Sequence, residues 1–248
     1  MLRPKDSGQV EVYDVIAYRL QRCLTVPYAR GFADMTSCEH FLCLYISDPF
    51  AECVHTLDAE SNATRWPVSD GPRGLSVNAA DNVLVTCPYV RKIKEFSPRG
   101  DLLRDVTIPD DIINPWHAIQ LTSGQFIVCH GRHDDRVHRV TTISAEGREI
   151  VHSHGGQRGS DTGQYDVPFH LAVDNNESVF VADQNNRRVT LFSPTLSYTG
   201  QVVSCDKVRW KPGWMCLDVQ RRRLYVADNK AEDTGRKFTA GRVVVFSV

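Results

Sequence analysis

The chain has 248 residues, of which 42% are hydrophobic, and its 29 Lys and Arg residues nearly balance 30 Asp and Glu residues, for a net charge of −1. This length and apolar content allow a sizeable buried core, in two ordinary domains or in one large β array. The balanced charge argues against nucleic-acid binding by the molecule as a whole, so any such site must be local.

The sequence also indicates a compartment. The N-terminal residues lack the apolar segment of a secretion signal, and no stretch approaches the roughly 18 apolar residues that a membrane-spanning helix needs. The cysteines are scattered, without a Cys-x-x-Cys pair, which is typical of buried free thiols in a reducing compartment. We therefore expect a cytoplasmic protein without membrane contact or disulfides. The eight cysteines are Cys23, Cys38, Cys43, Cys53, Cys87, Cys129, Cys205 and Cys216.

In chain order, the first predicted elements are short apolar segments before residue 28. Val10 to Asp14 resembles the third strand of the repeat described below, and Leu20 to Thr25 resembles a fourth strand. Leu2-Arg3 then matches the end of a second strand. The chain is therefore expected to begin within a repeat unit.

Five copies of a repeated strand follow, each opening with a small or aromatic pair after a turn. One repeat position is occupied by Gly31, Gly74, His117, His170 and Trp214, at successive spacings of 43, 43, 53 and 44 residues. These first strands are predicted over residues 30–33, 72–77, 115–119, 168–173 and 212–217.

Two more β-branched or apolar runs, and then a weaker fourth one, follow each first strand. The second strands are predicted over Phe41 to Asp48, Val83 to Cys87, Phe126 to His130, Val179 to Asp183 and Leu224 to Asp228. The third strands are predicted over Cys53 to Leu57, Lys92 to Phe96, Val137 to Ile143, Val189 to Phe192 and Arg242 to Phe246. Four short antiparallel strands repeated every 40 to 50 residues are typical of propeller blades.

We therefore predict an all-β fold, a six-bladed β-propeller whose first blade is incomplete at the N-terminus. It would form a single domain over residues 1–248, with a partial blade at 1–28 and blades at about 29–70, 71–112, 113–166, 167–210 and 211–248. An alternative is a five-bladed closure in which Leu20 to Thr25 pairs with the last blade.

The loop Asp183-Gln184-Asn185-Asn186-Arg187-Arg188-Val189, which follows Val179 to Ala182, resembles the consensus of NHL repeats. In that family the Asp and Arg of this loop connect neighbouring strands, so we assign Asp183 and Arg188 a structural role. The other blades depart from the motif, since Ala51 and Cys53 replace the Asn and Arg in one of them. The chain thus resembles the NHL-type propellers at the C-terminus of tripartite-motif (TRIM) proteins.

This resemblance implies a non-catalytic recognition module that recruits a protein or RNA target for a ubiquitin ligase-like protein. Ligase activity would belong to domains outside this chain. Arginines with large aromatic side chains suit either ligand class, because rings supply contact area and guanidinium groups bind phosphate or carboxylate. The near-zero net charge favours protein.

The candidate binding residues lie in loops that open the first strands or join the second and third strands. Such loops carry function because the strands hold the blades together. Aromatic members of the set, together with Trp214, have the alternative role of stapling adjacent blades. The candidates are Arg30, Arg73, Tyr89, Arg91, Trp116, Arg132, Tyr165, Phe169 and Trp210.

A metal-dependent hydrolase or lyase is the alternative function, because NHL-like propellers include a lyase and other six-bladed propellers include lactonases. The histidines that could bind zinc are His117, His130, His133 and His170. Two of them occupy the position of Gly31 and Gly74, which indicates a slot for a small or flat side chain. We therefore expect no catalytic residue, metal or cofactor.

Overall fold

The computed structural model describes residues 2–5, 8–231 and 238–248, and this part of the chain consists of strands, turns and loops. None of its segments is a helix with the length and apolar character that a membrane crossing needs. Two compact units make up the chain, Met1–Val106 and Thr107–Val248.

Unit 1 contains a small three-stranded sheet and two four-stranded antiparallel blades. The small sheet comprises β1 (Leu2–Lys5), β2 (Gln9–Tyr13) and β3 (Leu20–Thr25). The first blade comprises β4 (Asp34–Cys38), β5 (Cys43–Asp48), β6 (Cys53–Leu57) and β7 (Ala63–Pro67). The second comprises β8 (Leu75–Val77), β9 (Val83–Cys87), β10 (Lys92–Phe96) and β11 (Leu102–Thr107).

Unit 2 contains three blades. The third blade of the chain comprises β12 (Pro115–Gln120), β13 (Phe126–His130), β14 (Val137–Ile143) and β15 (Ile150–Gln157). The fourth comprises β16 (Pro168–Val173), β17 (Val179–Asp183), β18 (Arg188–Phe192) and β19 (Tyr198–Val203). The fifth comprises β20 (Lys211–Asp218), β21 (Arg223–Ala231) and β22 (Phe238–Ser247).

The prediction of six blades is wrong, because the described residues form five blades and one small sheet. The segments assigned to an incomplete first blade form that sheet, in which five of the six β3 residues are exposed and β2 is only partly buried. Strands β5, β9, β13 and β17 of the blades are buried almost throughout. The number of blades is that of the five-bladed alternative, and Leu20–Thr25 pairs with β2 in the small sheet.

Apolar side chains fill the space between neighbouring blades of each unit. Tyr45 and Val54 of the first blade pack in one cluster with Val85 of the second. In unit 2, Ile127 and Val140 of the third blade share a cluster with Leu171 of the fourth. Because the inner strands are covered on both faces, they are continuous apolar runs instead of alternating ones.

A buried carboxylate ends the second strand of the fourth blade and holds the loop before the first strand. Asp183 accepts the Asp166 N–H at 2.8 Å, the Asn186 side-chain amide at 2.8 Å and the Arg188 Nε–H at 2.7 Å. Burial raises the pKa of Asp183 to about 6, although these donors favour the ionised form. The expected structural role of the Asp and Arg is consistent with this geometry.

A buried carboxylate also holds the loop before the first strand in the first and fifth blades. Asp48 accepts the Arg30 N–H at 2.6 Å, and Asp228 accepts the Trp210 N–H at 2.8 Å and the Arg242 Nε–H at 2.9 Å. Both carboxylates are fully buried. We call the loop held in this way the lead-in loop of its blade.

A histidine contributes to holding the lead-in loop of the fourth blade. The Nδ1 atom of His138, in β14, accepts the Val167 N–H at 2.8 Å. Its Nε2–H therefore donates to the Asp135 carbonyl oxygen at 3.1 Å, which fixes the neutral tautomer. Sequence reasoning did not identify this contact, because no local pattern pairs residue 138 with residue 167.

Replacement of Asp183 by Ala should destabilise the protein strongly. The substitution leaves the Arg188 guanidinium and the Asp166 N–H without their buried acceptor, and breaking a buried pair costs about 3 to 5 kcal/mol. We expect urea denaturation to show a loss of about 3 kcal/mol in the free energy of unfolding.

The matched control is Lys207→Ala, which breaks the exposed ion pair between Lys207 and Asp206. That change should stay within about 0.5 kcal/mol of the wild type. Similar losses in both variants would contradict a structural role for the buried carboxylate.

Acid should destabilise the fold through His130. Burial is the main cause that lowers the pKa of this imidazole to about 4, with a contribution from Arg139. The unfolded chain binds this proton below about pH 6.5, so stability is lost as the pH falls from 6.5 to 4, by about 3 kcal/mol in total.

Asp183 binds a proton in an overlapping pH interval, and this protonation has the opposite effect on stability. The measurement therefore compares the wild type with His130→Leu. The variant should lose about 3 kcal/mol less stability between pH 6.5 and 4. An NMR titration of the wild type that placed the His130 pKa near 6.5 would refute the prediction.

Candidate functional site

The first strands of all three blades in unit 2 carry a β-bulge at the same place. The ladder is irregular between Pro115 and His117, between Pro168 and His170, and between Pro212 and Met215. The residues within these irregularities include Trp116, Phe169 and Trp214. A bulge re-aims a side chain out of the regular pleat, so the same distortion orients an aromatic residue in each blade.

These three aromatic side chains touch in sequence, and we call them the aromatic row. The rings of Trp116 and Phe169 have centroids 5.1 Å apart, and the rings of Phe169 and Trp214 are 5.4 Å apart and nearly perpendicular. All three residues are half-buried. The row therefore presents apolar and aromatic surface to solvent on a support that is already packed.

A loop of the third blade fixes one end of the row. The Trp116 Nε1–H donates to the Gly131 carbonyl oxygen at 3.2 Å, and the Arg132 guanidinium lies 5.1 Å from the Trp116 ring centroid. The Arg132 N–H in turn donates to the Asp135 carboxylate at 2.6 Å. The indole and the guanidinium are thus oriented before any ligand binds.

Trp210 stands on the lead-in loop of the fifth blade, where Asp228 holds its backbone. Two guanidinium groups lie near its ring, that of Arg209 at 5.1 Å and that of Arg242 at 6.0 Å. Arginine and aromatic side chains therefore lie next to one another in unit 2.

The four histidines considered as metal ligands lie in three different settings. His117 and His170 are buried and stack with centroids 4.0 Å apart. His130 is buried with its Nε2 atom 3.3 Å from the Thr141 hydroxyl, and His133 lies on an exposed loop 3.1 Å from the Asn185 amide.

Tyr165 does not belong to a binding surface, and this candidate is corrected. Its side chain is 1% exposed and packs in the cluster between the third and fourth blades, near Phe192 and His154. Burial raises the pKa of the phenol well above its ordinary value. Arg188 donates to the Ser160 and Gln164 carbonyl oxygens and holds the glycine-rich segment before Tyr165 to the blade.

The other candidates lie in unit 1. Arg30 and Arg91 are exposed, and the Arg73 guanidinium donates to the Tyr89 hydroxyl at 3.3 Å. The Tyr89 ring is 63% exposed and covers Gly71, where an added Cβ would lie 2.8 Å from it. Unit 1 thus has its own arginine and aromatic groups, and the structure brings Arg73 and Tyr89 together.

Trp214 is the member of the aromatic row that sequence reasoning left out of its binding set. The alignment placed Gly213 at the position of Trp116 and Phe169, so the fifth blade seemed to lack an aromatic residue there. The ring of Trp214 reaches Phe169 from the next position. Trp214 occupies the repeat position that was identified in the sequence, and this was the signal that could have pointed to it as a binding residue.

No protein-family model matches the sequence, and no curated protein is significantly similar to it. The structure is similar to that of a protein of unknown function from Bacteroides caccae, at 11% identity and a TM-score of 0.76 over 99% of this chain and 89% of that one. It is also similar to a chain of a nidogen/laminin complex, at 12% identity and a TM-score of 0.71 over 95% and 90% of the two chains. A third neighbour is virginiamycin B lyase from Staphylococcus aureus with quinupristin, at 8% identity and a TM-score of 0.65 over 97% and 77%.

These identities establish the fold alone. The chain has an all-β, β-propeller fold. The specific resemblance to NHL repeats and TRIM proteins has no support from a matching family, and it stays a prediction.

Replacement of Gly131 by Ala should disturb the support of Trp116. Gly131 has a φ of +110°, and an added Cβ would lie 2.6 Å from the Val137 carbonyl oxygen. Strain of this kind costs about 1 to 3 kcal/mol, which urea denaturation should show as lost stability.

Gly200→Ala is the control, because no atom lies within 4 Å of an added Cβ at this position in β19. Its stability should stay within about 0.5 kcal/mol of the wild type. A Gly131→Ala protein as stable as the Gly200→Ala protein would contradict the assigned constraint.

Proposed function

We propose that this propeller is a non-catalytic recognition module and that the aromatic row, with Arg132, binds a segment of a protein partner. The observation that carries the proposal is the continuous contact of Trp116, Phe169 and Trp214 at three successive bulges. Half-buried aromatic residues beside an arginine are the residue types that dominate binding energy at protein interfaces.

The chemistry of the row supports binding over catalysis. Indole and phenyl rings and a guanidinium group supply contact area and hydrogen-bond donors, but none of them is a nucleophile or a general base at neutral pH. The enzyme alternative would instead use the His117 and His170 pair, and the likeness to virginiamycin B lyase extends to the fold alone.

Charge supports a protein partner over RNA. The net charge is −1, and the loop that carries Arg132 also carries Asp134 and Asp135. An RNA site gains affinity by neutralising phosphates with clustered cations, and neighbouring carboxylates oppose that effect. The fold also occurs in a nidogen/laminin complex, which is consistent with use of this architecture in protein assembly.

The proposal includes the narrower role predicted from the sequence. The module would recruit a target in the cytoplasm, without a small-molecule cofactor, for a ligase whose catalytic domains lie elsewhere. This role depends on the resemblance to TRIM proteins, whereas the binding surface depends on the contacts described above.

A selection from a random peptide library displayed on phage tests the surface. Peptides enriched on the wild type should lose at least about ten-fold in affinity for the Trp116→Ala/Phe169→Ala variant, because truncation of anchor residues typically costs more than 1 kcal/mol each. Fluorescence anisotropy with the synthesised peptides measures the affinity.

Tyr198→Ala is the matched control, since it removes a 45% exposed aromatic ring from the outer strand β19. This variant should bind the peptides as the wild type does. Unchanged affinity in the double variant would contradict the proposal. So would a parallel selection from a random RNA pool that gave the tighter ligands, with binding dependent on Trp116 and Phe169.

A further inference from the structure

Unit 1 contains a pocket that was not predicted from the sequence. It is an open cleft with a volume of about 640 Å³, bordered by the lead-in loop, the hairpin after β5 and the end of β7, all belonging to the first blade. This volume falls within the range of about 300 to 1,000 Å³ that is usual for small-ligand sites. The pocket is lined by Tyr28, Ala29, Arg30, Ala51, Glu52, Cys53, Arg65, Trp66 and Pro67.

Two arginines, Arg30 and Arg65, line this pocket. Within the part of the chain that the structure describes, neither Arg30 nor Arg65 forms an ion pair with a carboxylate. The Arg65 guanidinium lies over the Tyr28 ring at 5.2 Å, and Asp48 holds the Arg30 backbone at 2.6 Å. Two arginines and one glutamate, Glu52, therefore line one opening, which leaves a net positive charge there.

The aromatic wall of the pocket is accessible. The Tyr28 side chain is 79% exposed although it is bulky and apolar over most of its surface. Its ring and the guanidinium above it provide a flat face on which a planar group can stack. The pocket thus combines positive charge with an exposed ring.

From this combination we infer that the pocket binds a small aromatic ligand carrying a phosphate or carboxylate group. The anionic group would lie between Arg30 and Arg65, because a guanidinium fork matches two oxygens of either anion. The ring of the ligand would contact Tyr28. We call this site the arginine pocket.

The cysteine in the wall is not arranged for reaction. Cys53 is 4% exposed, and burial raises the pKa of its thiol, so the thiol stays protonated at neutral pH. Its Sγ atom and the Asp48 carboxylate both lie 3.4 Å from the same atom, Nε2 of His55. A nucleophilic cysteine and its orienting carboxylate would contact different imidazole nitrogens, so Cys53 is not placed to act as a nucleophile.

Isothermal titration calorimetry with phenyl phosphate, benzoate and inorganic phosphate tests the inference. Phenyl phosphate or benzoate should bind the wild type, and each should bind at least about ten-fold more weakly to Arg30→Gln and to Arg65→Gln. Comparison of the two aromatic probes identifies the preferred anion. Inorganic phosphate should bind more weakly than phenyl phosphate, because it cannot stack on Tyr28.

Two further variants control for charge. Arg99→Gln removes an exposed positive charge from a turn of the same unit and should leave binding unchanged. Glu52→Gln removes the negative charge at the pocket and should tighten binding. Circular dichroism checks that each variant is folded.

Absence of binding by both aromatic probes at millimolar concentration would overturn the inference, as would equal binding to the wild type and an Arg30→Gln/Arg65→Gln variant. If inorganic phosphate bound as tightly as phenyl phosphate, the inference that the ligand contains an aromatic ring would be wrong. The Trp116→Ala/Phe169→Ala variant should bind the probes as the wild type does. The proposals for the arginine pocket and for the aromatic row are therefore tested separately.

Discussion

A buried carboxylate at the end of a second strand accepts backbone N–H groups from the lead-in loop of the same blade. Asp48, Asp183 and Asp228 all make this contact, and each is fully removed from solvent. An unpaired N–H or a lone carboxylate in these positions would cost several kcal/mol, so each group requires the other. The contact fixes where the first strand of each of these three blades begins. It therefore also fixes the backbone positions of the loop residues whose side chains are exposed.

Both candidate sites depend on this constraint in different ways. In unit 2, the bulges of the fourth and fifth blades follow directly after such lead-in loops, and Phe169 and Trp214 at these bulges contact each other in the aromatic row. In unit 1, Asp48 holds the backbone of Arg30 while its side chain stays available at the arginine pocket. Rigid support lowers the entropy lost when a ligand binds, which is an advantage for a recognition surface.

The repeat could be predicted because blade strands are buried on both faces and give apolar runs at a regular period. The number of blades could not, since Leu20–Thr25 has the composition of a strand and only its exposure separates the small sheet from a blade. Arg132 and Phe169 were found as candidates from their loops, whereas the burial of Tyr165 and the reach of Trp214 depend on contacts between blades. The arginine pocket could not be predicted, because Arg65 and Tyr28 are far apart in the sequence and no local pattern indicates their contact.

Amide hydrogen exchange measured by NMR tests the central claim most directly. If buried carboxylates hold the lead-in loops, the amides of Arg30, Asp166 and Trp210 should be protected to a degree comparable with Val181 in the core strand β17, although they lie outside regular strands. Exchange of these three amides at the rate of unprotected loop residues, with Val181 still protected, would contradict the account.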